Sequence, residues 1–166
     1  MIFVDIDGVL IPFRARPSDS NCQHGGSVGD RPDCSGNPLL DRLDPDDGRR
    51  LLALPGDPVW ASTWMAEANE VVAPRLGLPA LPVVDWIDGD EEPPRGVHWK
   101  TASLARWAVG RPFVWLDDEI TDVDRRWVAA HHPNPALLHR VDPLVGLADI
   151  DLTAVRRWLD HQNEGA

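Results

Sequence analysis

Short apolar runs alternate along this chain with amphipathic segments of helix length, and that alternation constrains the fold more than any other feature. A strand that is apolar on both faces must be covered on both faces, which points to helices packed on either side of a parallel sheet. Residues 1–6, read MIFVDI, are short, β-branched and aromatic, and are expected to form a buried strand. Further strands are expected at 58–61, 81–87, 112–116 and 136–141. Helices are expected at 44–54, where Pro45 and three aspartates form the start, and at 64–76, ending before Gly77. Three more are expected at 98–109, 120–130 and 152–162, the last with Leu152, Val155 and Leu159 on one face. The expectation is therefore a three-layer α/β fold around a parallel sheet of about five strands, folded as one domain over 1–162 with a short C-terminal tail at 163–166. Two stretches depart from the alternation: a Gly-, Pro- and Ser-rich loop at 14–38 and an acidic, proline-bearing loop at 88–96.

The chemistry-bearing residues collect where strands end. Asp5 and Asp7 close the first strand and, being two apart, point to the same side, towards the carboxyl edge at which open α/β sheets bind ligands. Gly8 follows, a residue that permits a positive φ or a close approach to the backbone. Ser62 and Thr63 close the second strand, and Asp117 and Asp118 follow the apolar run ending at Leu116. Lys100 stands at the start of the helix after the acidic loop. Each has an ordinary reading alone: aspartates satisfying a turn, a helix cap, a solvated lysine. Together, in this order, they form a set for phosphoryl transfer. A carboxylate can attack phosphorus, a second can exchange a proton, and a hydroxyl and a cation can hold the phosphoryl oxygens. Several carboxylates converging on one crevice also repel one another unless a cation sits among them, and hard oxygen ligands suit Mg²⁺.

Motif by motif, the chain resembles the haloacid dehalogenase (HAD) superfamily of phosphohydrolases. DIDGVL is similar to that family's first motif, WAST to its second, Lys100 in HWKTA to its third, and the LDD of FVWLDDEI to its fourth. The pattern of Trp60-Ala61-Ser62, Trp64, Ala68-Asn69, WLDDEI and a late DPLVGL is similar to the small HAD-like domain of bacterial RNA-repair proteins. The resemblance implies a Rossmann-like HAD fold, with Asp5 as nucleophile and Asp7 as general acid/base. It implies that Ser62, ahead of Thr63, binds the phosphoryl group and that Lys100 pairs with Asp5. Mg²⁺ would be held by Asp5, the Asp7 carbonyl, Asp117 and Asp118, with Asp118 and Asp122 as the alternative pair for the fourth motif. The 14–38 loop is too short for a large cap domain and reads as a flap, so the site is expected to be open. Phosphatase is the first reading, with a phosphotransferase or mutase next. A non-enzymatic phospho-acceptor switch is disfavoured, because its acidic pair would precede the acceptor and it would lack Asp7.

Composition narrows the partners. The formal charge is −11, with 27 acidic against 16 basic residues, which argues against extended nucleic-acid contacts. A phosphorylated small molecule or a macromolecular end phosphate is the expected substrate, for a monomer or a homodimer. Lys100 is the only lysine, the other basic residues being arginine; Arg14, Arg16 and Arg31 of the 14–38 loop are candidates for a phosphate or carboxylate clamp. Cys22 and Cys34, the only cysteines, are expected to be free thiols. No basic segment precedes the first strand and no membrane-length apolar run occurs, so a cytoplasmic protein is expected. Trp107, Trp115, Trp127 and Trp158 are expected to pack in the core. Trp64 and Trp99 are expected at the pocket, and His131 and His132 at a helix end.

Overall fold

The computed structural model describes residues 1–14, 37–86 and 95–164. Four strands form one parallel sheet: β1 (Ile2–Val4), β2 (Pro58–Trp60), β3 (Phe113–Asp117) and β4 (Ala136–Arg140), in the order β2-β1-β3-β4. Around them lie α1 (Pro45–Leu52), a π-helical turn (Ala68–Val72) running into the short α2 (Ala73–Arg75), α3 (Trp99–Trp107), α4 (Asp122–His131) and α5 (Asp149–Glu164). The strand residues alternate between two cores. Ile2, Val4, Trp60, Val114 and Leu116 face one, which also takes Leu51, Val72, Val155 and Leu159. Phe3, Val59, Phe113 and Trp115 face the other, with Leu104 and Val128. Burial on both faces explains why these strands read as continuous apolar runs. The architecture is the α/β fold around a parallel sheet that the alternation implied, of the Rossmann-like kind expected from the resemblance.

Local sequence accounts for most element ends. Asp44 caps α1 by accepting from Asp46 N, with Pro45 in the first turn. Thr121 and Asp124 form a reciprocal capping box at the start of α4. The imidazole of His98 caps α3 by accepting from Lys100 N. Trp115 is fully buried, while Trp107, Trp127 and Trp158 are partly buried against the two cores. His132 is buried against Phe113 and His131 stacks on Trp127, so both pack rather than face the strand ends.

Three elements differ from expectation. Among the described residues the sheet has four strands rather than about five, because 81–86 meets β2 through a single parallel bridge, Trp60 to Val83. Pro82 has no N–H to give a ladder, and the backbone N–H and C=O of Leu81 are both taken by the side chain of Asn69. The expected helix at 64–76 is broken: the chain turns at 62–66 with Met65 left-handed at φ 48°, and regular helix follows only later. Pro74 has no N–H to give the Glu70 carbonyl, and just before it Ala73 N closes a wider turn on Ala68 O. At the C-terminus, α5 continues through Glu164, two residues beyond its expected end. Between 62 and 86 the chain contributes Ala68, Val72, Leu76, Leu78 and Leu81 to the core rather than building a cap. Most of the 14–38 loop, with Cys22, Cys34, Arg16 and Arg31, lies outside the described residues, as do Ile87, the end of the expected strand, and residues 88–94 of the acidic loop. Among the described residues no helix is long and apolar enough to cross a membrane.

Candidate active site

Register brings the polar strand ends level. Val4 pairs with Leu116 on one side and Trp60 on the other. Asp5 therefore stands beside Asp117, its amide donating to Leu116 O at 3.0 Å, and one residue from Ser62 across β2. β1 and β3 are neighbours although β2 intervenes in the chain, so their carboxyl ends flank the point where strand order reverses, the usual ligand crevice of such sheets.

Lys100 joins these ends. It is 3% exposed, and its ammonium donates to Asp5 Oδ2 at 2.6 Å and to Asp117 Oδ2 at 2.8 Å. Asp5 Oδ1 accepts from Ile6 N at 2.8 Å. Asp117 is fully committed: Trp115 Nε1 donates to Oδ2 at 3.2 Å and Glu119 N to Oδ1 at 2.9 Å. Asp118 is half-buried, and no other side chain among the described residues hydrogen-bonds to its carboxylate. Its position depends on Gly8, which sits at φ 72°; a Cβ there would stand 2.5 Å from Asp118 Cγ. Asp5, Asp117 and Asp118 each offer a carboxylate oxygen, all within 4.8 Å of one another.

Three carboxylates around one ammonium leave the site short of positive charge, and the ionisation of its members records this. Burial, with Asp117 adding to it, pushes Asp5 up to about 7 against the pull of Lys100. Burial and then Asp117 raise Asp118 as well. Lys100 is held above its ordinary value, because Asp5 and Asp117 outweigh the opposing effect of its burial. A hard divalent cation among these oxygens would offset the excess charge, and the donor set therefore fits a metal of the Mg²⁺ type. Asp122, the alternative fourth-motif carboxylate, is exposed on α4 and pairs with Arg125 at 2.8 Å, outside this cluster.

The remaining predicted residues fall around the same point. Asp7 is partly buried, two residues beyond Asp5, and accepts at Oδ2 from Trp64 Nε1 at 2.9 Å. Ser62 is 1% exposed, whereas Thr63 points to solvent, so the two hydroxyls are distinguished by burial. Trp86 Nε1 donates to Ser62 O at 3.0 Å and packs edge-on against Trp99. Trp99 is 42% exposed, and its ring centroid lies 5.7 Å from the Lys100 ammonium. Arg14, the one clamp candidate among the described residues, is exposed.

The pattern reading passed over Asp124. It is fully buried and accepts from His98 N, Thr101 Oγ1, Thr121 N and Thr121 Oγ1, all within 2.8 Å. It ties the start of α3, which carries Lys100, to the start of α4 just beyond Asp117 and Asp118. The available signal was the Thr-x-x-Asp spacing of a capping box at 121–124. His98, also passed over, bonds to Glu119 Oε2 at 3.0 Å while capping α3.

A family model described as the HAD domain in Swiss Army Knife RNA repair proteins matches residues 1–152. Comparison with curated proteins and with solved structures found no match in either set.

Proposed function

The chain belongs to the family of HAD domains in Swiss Army Knife RNA repair proteins, and from its phosphohydrolase-type chemistry we propose a Mg²⁺-dependent phosphatase that hydrolyses phosphomonoesters through an aspartyl-phosphate on Asp5. The observation that carries this reading is the buried Lys100 ammonium, held 2.6 Å from Asp5 and 2.8 Å from Asp117 at level strand ends. An ordinary structural lysine stays near water; here a point charge is placed where phosphoryl oxygens would need one.

In this reading an Asp5 oxygen attacks phosphorus, and Asp7 gives its proton to the leaving oxygen. Asp7 then removes a proton from the water that hydrolyses the acyl phosphate. Ser62 and Lys100 hold the phosphoryl oxygens. Asp5, the Asp7 carbonyl and the fourth-motif pair would hold Mg²⁺. Of that pair Asp118 is the freer ligand, because Asp117 already satisfies Lys100, Trp115 and Glu119. When bound, the ion supplies positive charge against the carboxylates and the transferring group.

The substrate class follows from what surrounds the site. The stretch at 62–86 is spent on the core, and the exposed face of Trp99 stands at the mouth, where a flat group can stack. With a net charge of −11, an extended nucleic-acid footprint is disfavoured. A nucleotide or a nucleic-acid end phosphate, contacted through its terminal residue, meets these conditions. The test is a screen of p-nitrophenyl phosphate, nucleotides, sugar phosphates and 5′- or 3′-phosphorylated oligonucleotides, with Mg²⁺ and with EDTA. Release of phosphate that needs Mg²⁺ and disappears in Asp5→Asn is expected. Undiminished turnover by Asp5→Asn would overturn the assignment.

A further inference from the structure

The contact between Trp64 and Asp7 joins two segments 57 residues apart and is the one side-chain hydrogen bond to Asp7 among the described residues. Trp64 is half-buried, and its ring packs against the larger core. Its backbone is fixed as well. Trp64 N points at Ser62 Oγ, 3.5 Å away, Glu67 N donates to Trp64 O at 3.0 Å, and Met65 takes the left-handed conformation at φ 48°. A side-chain-bearing residue there is strained, and strain of this kind persists where surrounding structure enforces it. The outcome is an indole whose N–H meets Asp7 Oδ2 at 2.9 Å.

We propose that Trp64 is the positioning residue for the acid/base Asp7, engaging Oδ2 so that Oδ1 is the atom that exchanges the proton with the substrate. This rests on the reading of Asp7 given above. The indole N–H donates and cannot accept, so a proton on Oδ2 directed at it would oppose that contact. The carboxyl is thereby held in one rotation with one oxygen left over. In the first step the Asp5–phosphorus bond forms as the bond from phosphorus to the leaving oxygen breaks. That oxygen keeps the electron pair and takes the proton from Asp7 Oδ1. In the second step Oδ1 takes a proton from water as the water oxygen bonds to phosphorus and the Asp5–phosphorus bond breaks. Phosphate leaves, and both aspartates return to their starting forms.

A merely structural role, in which Asp7 satisfies a buried indole, predicts equal losses for every substrate. Positioning predicts losses that depend on the leaving group. The comparison is kcat/KM, which reports steps up to leaving-group departure, for an alkyl phosphate and for 2,4-dinitrophenyl phosphate, whose phenolate leaves without a proton. In Trp64→Phe, which keeps the ring and removes the N–H, kcat/KM should fall about 10- to 100-fold for the alkyl ester and less than about threefold for the dinitrophenyl ester. Trp64→His, which restores a ring N–H, should recover part of the alkyl activity. Asp7→Asn serves as the reference and should show the same split, only larger. A split in Asp7→Asn with equal losses, or none, in Trp64→Phe overturns the role of Trp64. No split in Asp7→Asn instead overturns the acid/base reading of Asp7, and the inference with it. Should Trp64→Phe not fold, the contact is read from the eight tryptophan indole resonances. In Asp7→Ala one of them should move upfield and exchange faster with solvent. If none does, the hydrogen bond and the inference fail.

Discussion

Replacing Lys100 by methionine tests the electrostatic core of the site. The side chain keeps its approximate volume and loses the charge that faces Asp5 at 2.6 Å and Asp117 at 2.8 Å. At an effective dielectric near 20, each such pair attracts by about 6 kcal/mol, most of it offset by taking the three groups out of water. Removing one member of a buried pair leaves the other uncompensated, at a typical cost of about 3–5 kcal/mol. For a chain of this length that lowers Tm by between about 6 and 20 °C. The deficit depends on pH in a definite direction. A carboxyl whose folded value lies above its unfolded 3.8, as that of Asp5 does at about 7, lowers stability increasingly as pH rises from 3.8 through 7. Without Lys100 that penalty grows, so the variant should fall furthest behind at pH 8 and approach the parent towards pH 4. Urea denaturation in EDTA at both pH values measures it, and added Mg²⁺ should narrow the gap at pH 8. A deficit below about 1 kcal/mol at pH 8 would refute the view that this ammonium balances two buried carboxylates. Lys100→Arg extends the test to geometry. It keeps the charge but brings a longer, planar group into a site with 3% exposure, and kcat should fall at least about 100-fold.

Gly8→Ala forces a Cβ to within 2.5 Å of Asp118 Cγ at a backbone φ of 72°. It should weaken Mg²⁺ binding at least about tenfold by calorimetry and lower stability by about 1–2 kcal/mol. Asp124→Ala removes four hydrogen bonds at the junction of α3 and α4, and should lower stability by about 3 kcal/mol while reducing kcat through a loosened Lys100. Although burial acts to raise Asp124, its bonds from Thr121, His98 and Thr101 hold it below 3.8. Its stabilising effect is thus complete above 3.8 and lost as pH falls through the lower folded value, so Asp124→Asn should flatten the acid limb of a stability profile. Trp99→Ala should raise KM for nucleotides or phosphorylated oligonucleotides more than for a sugar phosphate. Equal effects on both would exclude stacking at the mouth.

The fold class, most of the secondary structure and the polar residues that gather at the strand ends were legible in the chain because they are written in local patterns. Apolar runs of strand length buried on both faces specify a parallel sheet, and polar residues immediately after those runs lie by construction at one edge of it. Asp5, Ser62 and Asp117 were visible for that reason, whereas Lys100 stood out as the one lysine of the chain, at the start of the helix after the acidic loop. The segment at 81–86 misled because its composition suits a strand, while its pairing is intercepted by Asn69, twelve residues earlier. The segment at 64–76 misled because helical periodicity survives in the side chains even where Met65 breaks the backbone.

What the sequence determined, then, was which residues end each strand and which chemistry they bring, since both depend on neighbours along the chain. The tertiary structure decided how they are divided. Asp117 turns to Lys100, and Asp118 is left over the open backbone of Gly8. Trp64 meets Asp7, and Asp124 locks two helix starts together. These choices depend on strand order, register and a strained turn, which bring together groups 17 to 95 residues apart. No local period carries that information, because the energy that selects each partner exists only once the surrounding groups have been taken out of water.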